Sequence, residues 1–195
     1  MKGDGYPSLP DKVRGLNLPN TITLGRILLV PLIVWAIASS QMTVAFVIFL
    51  IAGLSDAIDG FLAKRFDMTT ELGALLDPIA DKALLVSIYV ALGMADAIPR
   101  WLVILVVSRD LMIVGAMIVS WLLENPMPVK PLMVSKWNTV AQVAYAALVL
   151  AALGFGFRAQ PYDAILMGCV TVLTLSSIAL YLMEWVRHLA TTEEV

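Results

Sequence analysis

Four aspartates, Asp56, Asp59, Asp77 and Asp81, stand in the stretch Ser55 to Lys82, in surroundings apolar enough to lie in a membrane. A carboxylate at bilayer depth is costly, so each marks a candidate functional site. Asp56 and Asp59 are three apart and Asp77 and Asp81 four apart, so on helices each pair shares a face. The pairs nest about Met68, inside the polar run Lys64–Glu71. A turn in that run returns the flanking helices antiparallel and sets all four carboxylates at nearly one depth, roughly 10–15 Å from the turn. Four bare negative charges so close would repel or take up protons. Bound divalent cations resolve the conflict, and all-carboxylate ligation favours the hard ions Mg2+ or Mn2+ over Zn2+. Softer ligation has little to draw on, because the chain has one cysteine, Cys169, and one histidine, His188.

These residues must be positioned by membrane helices. The chain of 195 residues is 60% hydrophobic and 14% charged, with a mean hydropathy of +0.88. Its net charge of −2, with no basic stripe, gives no case for nucleic-acid binding. Cys169 lies in an apolar run as a core or lipid-facing residue, and one cysteine allows no disulfide framework. The expected fold is all-α and integral to the membrane, with six transmembrane helices behind a short interfacial segment. Residues 1–18 form that polar segment, 19–189 the six-helix domain and 190–195 a tail. The spans are expected near residues 21–38, 42–64, 70–93, 99–123, 135–155 and 162–186, each close to the ~20 residues that cross a bilayer. Pro19-Asn20 opens the first and Thr70 caps the third, with Glu71 favourable in its first turn. Pro78 is expected to bend the third span near Asp77 and Asp81.

Basic residues before an apolar run ending in Ala36-Ile37-Ala38 also fit a signal peptide. The ordered polar interruptions Asn20, Thr21, Thr23 and Arg26 favour a membrane span instead. Lys2, Lys12, Arg14, Lys64, Arg65, Lys130, Lys136 and Arg187 fall on one side of the six-span arrangement, against Arg100 and Arg158 on the other. By the positive-inside rule both termini and the aspartate hairpin face the cytoplasm.

Other polar residues recur in the same half of the spans: Arg26, Arg109, Asp110, Lys136, Asn138 and Thr139. Arg109 and Asp110 could neutralise each other, yet adjacent helical residues point about 100° apart. Arg109 is therefore expected to meet an anionic ligand or an aspartate of the cluster. Arg26 and Lys136, near span starts, read either as phosphate contacts or as snorkelling anchors, and Lys82 either snorkels or tunes the cluster. Trp35, Trp101, Trp121, Trp137 and Trp185 lie mostly near span ends, as an interfacial belt would. Gly60 and Gly73 either permit close helix packing or leave room for a flat ring or a phosphate.

The pattern Asp56-x2-Asp59-Gly60-x2-Ala63-Lys64-x8-Gly73-x3-Asp77-x3-Asp81 closely resembles the signature of the CDP-alcohol phosphotransferases, membrane enzymes of phospholipid synthesis. The one departure is Lys64, where the family usually has arginine; the charge is kept but the bidentate fork is lost, and Arg65 stands next to it. The resemblance implies a six-helix, usually homodimeric fold with a di-metal site holding two divalent cations, Mg2+ or Mn2+. By position, Asp56, Asp59 and Asp77 would be metal ligands, and Asp81 both a ligand and the general base. Asn20, Thr23, Gly60, Lys64, Thr70 and Gly73 match or neighbour positions that bind the CDP-lipid. Arg26, Arg109 and Lys136 are weaker candidates for contacts with the acceptor or a phosphate.

The implied reaction moves a phosphatidyl group from CDP-diacylglycerol to an alcohol and releases CMP, in a bacterial or mitochondrial-type inner membrane. The run Asn17-Leu18-Pro19-Asn20-Thr21-Ile22-Thr23-Leu24-Gly25-Arg26 resembles both phosphatidylglycerophosphate synthases and CMP-forming cardiolipin synthases. Residues 95–99, 107–110 and 135–139 lean toward the second, so phosphatidylglycerol is favoured as acceptor over glycerol 3-phosphate. An ion or proton transporter is the alternative of another class. It would explain intramembrane carboxylates, but neither the Gly60 and Gly73 spacing nor the confinement of all four to one hairpin.

Overall fold

The computed structural model describes residues 18–66, 71–122 and 133–192, with side chains described over 25–55, 82–115 and 133–185. Six helices follow one another: α1 (Leu18–Ala38), α2 (Met42–Phe66), α3 (Glu71–Met94), α4 (Arg100–Leu122), α5 (Met133–Phe155) and α6 (Tyr162–Thr192). Their bounds follow the expected spans closely. The main difference is α6, which continues past Val186 to Thr192, because the more polar residues after the apolar stretch still propagate a helix. The helix α3 runs unbroken through Pro78. Thr70, expected as its cap, lies outside the described residues.

Packing is set by which helices meet. α1 lies against α2 and α3, α5 against α2, α3 and α6, and α4 against α3 and α6. Followed in turn, these contacts close a ring α1–α2–α5–α6–α4–α3, with α3 and α5 touching across it. The shared core is aliphatic and aromatic: Ile33 and Ile37 of α1, Phe49 of α2, Ile88 and Leu92 of α3, Leu102 and Val106 of α4, Val149 and Leu150 of α5, and Val170 of α6.

Among the described residues, the outer surface carries many large apolar side chains. Leu28, Leu54, Ile104, Leu111, Val172 and Met183 are all more than three-fifths exposed. In water each would forgo roughly 1.5–3 kcal/mol of burial, and apolar exposure on every helix suits a hydrocarbon surround. Among the described residues, two stretches, Met133–Phe155 and Tyr162–Trp185, are long and apolar enough to cross a membrane by length and composition. Trp35, Trp101 and Trp137 are more than half exposed near helix ends.

Where α1 meets α2, Ser40 adopts φ 59°, and Gln41 N and Ser40 N donate to Ala36 O (2.8 Å) and Ile37 O (3.0 Å). This is a Schellman motif, which satisfies the last carbonyls of a helix through a left-handed residue. The end of α3 repeats it with Asp96 at φ 52°, where Ala97 N reaches Leu92 O at 2.9 Å. Gly156 closes α5 at φ 69°. At the same end Thr43 Oγ1 donates to Gly154 O at 2.7 Å, and a Cβ on Gly154 would lie 2.8 Å from Thr43 N. Only glycine lets the start of α2 approach α5 that closely. Phe46 and Phe155 seal the contact edge to face, with centroids 5.6 Å apart.

Candidate functional site

At the opposite end the helices carry the residues with chemistry. Asp56 and Asp59 occupy α2 and Asp77 and Asp81 occupy α3, with residues 67–70 between the helices. By register each pair falls on one face of its helix, as the spacing requires. The backbone alone is described at Asn20, Thr23, Asp56, Asp59, Gly60, Lys64, Gly73, Asp77 and Asp81. The predicted liganding and CDP contacts of these side chains therefore lie outside the described residues, as does Thr70.

One residue beyond Asp81 begins a described polar network joining α3 to α6. Lys82 Nζ donates to Asp110 Oδ1 at 2.5 Å, and Arg109 Nη1 donates to the same oxygen at 2.5 Å. Arg109 Nε and Nη2 donate to Ser177 Oγ at 3.2 and 3.0 Å, and Nη2 also to Ser135 Oγ at 2.5 Å. Arg109 is fully buried and Asp110 4% exposed, whereas the Lys82 side chain is 34% exposed. Among the described residues, Lys82 and Arg109 thus share one carboxylate oxygen of Asp110.

The network corrects the expectation for Arg109. It pairs with Asp110 despite the 100° between their Cα–Cβ directions, because a guanidinium on a long flexible stem can fold back to its neighbour. Its remaining nitrogens are taken by Ser135 and Ser177, so it ties α4 to α5 and α6. The other two cationic candidates separate. Arg26 is buried at 1% exposure, while Lys136 is exposed, as a snorkelling anchor would be. Thr139 Oγ1 donates back to Ser135 O at 3.2 Å within its own helix.

Three residues of the network, Gln142, Thr174 and Ser177, carried no individual signal in the sequence. Ser135, Asn138 and Gln142 recur at helical spacing along one face of α5, and Thr174 and Ser177 along α6. Thr174 Oγ1 donates to Asn138 Oδ1 at 2.9 Å, and Tyr89 Oη of α3 donates to Gln142 O at 3.1 Å. The signal that could have found them is a polar stripe at i, i+3 and i+7 in a helix otherwise apolar on that side.

The sequence model of the family described as CDP-alcohol phosphatidyltransferase matches residues 16–186. The chain belongs to the CDP-alcohol phosphatidyltransferase family. Among its relatives, a rat protein named cardiolipin synthase (CMP-forming) is 33% identical over 180 residues, covering 84% of this chain and 60% of the rat protein. A rice protein named CDP-diacylglycerol–glycerol-3-phosphate 3-phosphatidyltransferase 1, chloroplastic, is 34% identical over 186 residues, 86% of this chain and 56% of that one. A Bacillus subtilis protein named CDP-diacylglycerol–glycerol-3-phosphate 3-phosphatidyltransferase is 33% identical over 162 residues, 75% of this chain and 83% of its own. The chain thus spans about three fifths of the length of the rat relative. Every aspartate of the signature, and the whole α3–α6 network, falls inside the matched region.

Proposed function

We propose that this member of the CDP-alcohol phosphatidyltransferase family transfers the phosphatidyl group of CDP-diacylglycerol to an alcohol, releasing CMP. The observation that carries the reading is the placement of the four signature aspartates, at family spacing, on the two helices flanking residues 67–70. The six helices all cross the bilayer, with both termini and the aspartate end in the cytoplasm, and the working unit is a homodimer. Basic-residue asymmetry supports the orientation.

The donor set fits hard cations, since it is four carboxylates on adjacent turns of two helices. Asp56, Asp59, Asp77 and Asp81 would hold two ions, Mg2+ or Mn2+, which when bound supply charge neutralisation at the pyrophosphate. Asp81 takes the proton from the acceptor hydroxyl as its oxygen attacks the phosphorus that bears the diacylglycerol ester. The bond from that phosphorus to the bridging oxygen breaks, and CMP leaves with the electron pair. Lys64, with Gly60, Thr70 and Gly73, binds the CDP portion, and Asn20 and Thr23 close over it from α1.

Phosphatidylglycerol is the acceptor that residues 95–99, 107–110 and 135–139 support, in line with the name of the rat relative. Glycerol 3-phosphate is the second reading, supported by the rice and Bacillus names. Purified protein given CDP-diacylglycerol, Mg2+ or Mn2+ and each acceptor in a separate reaction tests both. CMP release with phosphatidylglycerol and a cardiolipin product is expected. Release only with glycerol 3-phosphate selects the second acceptor, and release unaffected by Asp81→Asn defeats the mechanism.

A further inference from the structure

The helix that carries Asp77 and Asp81 is held to α4 at two places, by different chemistry. Near the end of α3, a Cβ on Gly93 would lie 2.6 Å from Val103 Cγ2 of α4, so the two helices meet there through close apolar packing. Lys82 stands eleven positions earlier, about 16 Å along the axis of α3. There the tie is polar, with Lys82 Nζ donating to Asp110 Oδ1 of α4 at 2.5 Å. Asp110 is 4% exposed, and the fully buried Arg109 links the same carboxylate to Ser135 of α5 and Ser177 of α6. The Lys82 ammonium is thus fastened to a point that three other helices define.

Stability alone is a poor reason for such an arrangement, because apolar residues of similar volume often serve as well as a buried ion pair. What the pair supplies is direction. Apolar burial is non-directional, so an aliphatic core around α3 tolerates small tilts. A carboxylate oxygen engaged by both Lys82 and Arg109 specifies one placement. The consequence falls on the neighbouring residues of α3. Asp81 immediately precedes Lys82 and Asp77 lies one turn further, both placed by the helix backbone. With the Gly93 contact as fulcrum, a tilt of about 3° moves the backbone at Asp81, about 18 Å away, by about 1 Å. A misplacement of that size costs a reaction as much as ~100-fold in rate.

We propose that Lys82 and Asp110 are positioning residues of the transferase: their ion pair fixes the tilt of α3 and thereby the place from which Asp77 and Asp81 act. The inference rests on the transferase reading above and deepens it. It gives the pair no contact with the reacting atoms; the pair acts through the helix that carries the aspartates.

The test is a double-mutant cycle on the full chain in detergent, with Lys82→Met, Asp110→Asn and the two combined. Mn2+ affinity is read by electron paramagnetic resonance, kcat by CMP release and folding by the melting temperature. Each single variant is expected to weaken Mn2+ binding and to lower kcat by about tenfold or more, the low end for losing groups that orient metal ligands. The combined variant is expected to be no worse than the more severe single one, because both remove the same tie. Lys82→Arg keeps the cation and is expected to recover most of both quantities. Lys82→Met leaves the buried Arg109–Asp110 pair in place, so it decides the matter even where Asp110→Asn fails to fold. A plain charge effect has the opposite signature: Lys82→Met would tighten Mn2+ binding and Asp110→Asn would weaken it. That pattern overturns the proposal. A lowered melting temperature with Mn2+ affinity and kcat unchanged overturns it too, since the pair would then serve stability alone. Unmodified protein that neither binds Mn2+ nor releases CMP defeats the transferase reading itself, a result distinct from either of these.

Discussion

The two ends of the helix bundle are built on opposite principles. At the end where α1 meets α2 and α3 meets α4, short connections turn through left-handed residues, carbonyls are satisfied, and Gly154 lets backbones touch. At the other end lie the signature aspartates, a carboxylate shared by two cations, and buried amides without partners. The first end closes its own interactions, whereas the second keeps several open. The proposed transferase would thus concentrate rigidity at one end and chemistry at the other.

Substitutions can break this contrast, and the largest effect is expected at the chemical end. Asp81→Asn should lower CMP release by roughly 100- to 10,000-fold, the range for loss of a general base, with the melting temperature in detergent unchanged. A chelator should likewise abolish turnover, and Mg2+ or Mn2+ should restore it. If Asp81→Asn unfolds the protein, the aspartate end is structural as well and the contrast fails. Next comes Arg109→Leu, which strips a buried ion pair and leaves Asp110 with Lys82 alone. The expected loss is about 3–5 kcal/mol of stability, read by chemical denaturation. At the closed end, Gly154→Ala should cost about 1–3 kcal/mol through overpacking against the Thr43 backbone, with kcat preserved in the folded fraction. The smallest change runs the other way. Ser40→Gly relieves a left-handed serine and should gain less than about 1 kcal/mol after its cost in unfolded-state entropy.

Helix order and bounds were legible because apolar runs of span length alternate with polar or turn-forming connections. The placement of the aspartate pairs on α2 and α3 was legible because carboxylates in so apolar a stretch are rare and their spacing is helical. The fate of Arg109 was not, because a direction measured at Cβ does not limit where a long side chain ends. Arg26 and Lys136 both lie in the first half of their helices, yet one is buried and the other exposed. Burial depends on which neighbouring helix covers a face, and that information is not local. Thr174, Ser177 and Gln142 give no signal alone, because each is an ordinary residue of an apolar helix, and their meaning comes from the helices they meet.

The adjacency of Arg109 and Asp110 also bears on how such a chain is made. In the proposed six-span arrangement α4 would enter the bilayer during synthesis with an arginine at its middle, before α5 and α6 exist to supply Ser135 and Ser177. An arginine at a helix centre raises the cost of insertion by about 2.5–3.5 kcal/mol. Asp110 is the partner that travels with it, and Lys82 has already been delivered by α3. In that proposed arrangement the ion pair that later ties four helices together would first serve as an escort, carrying a charge through the lipid until its hydroxyl partners arrive.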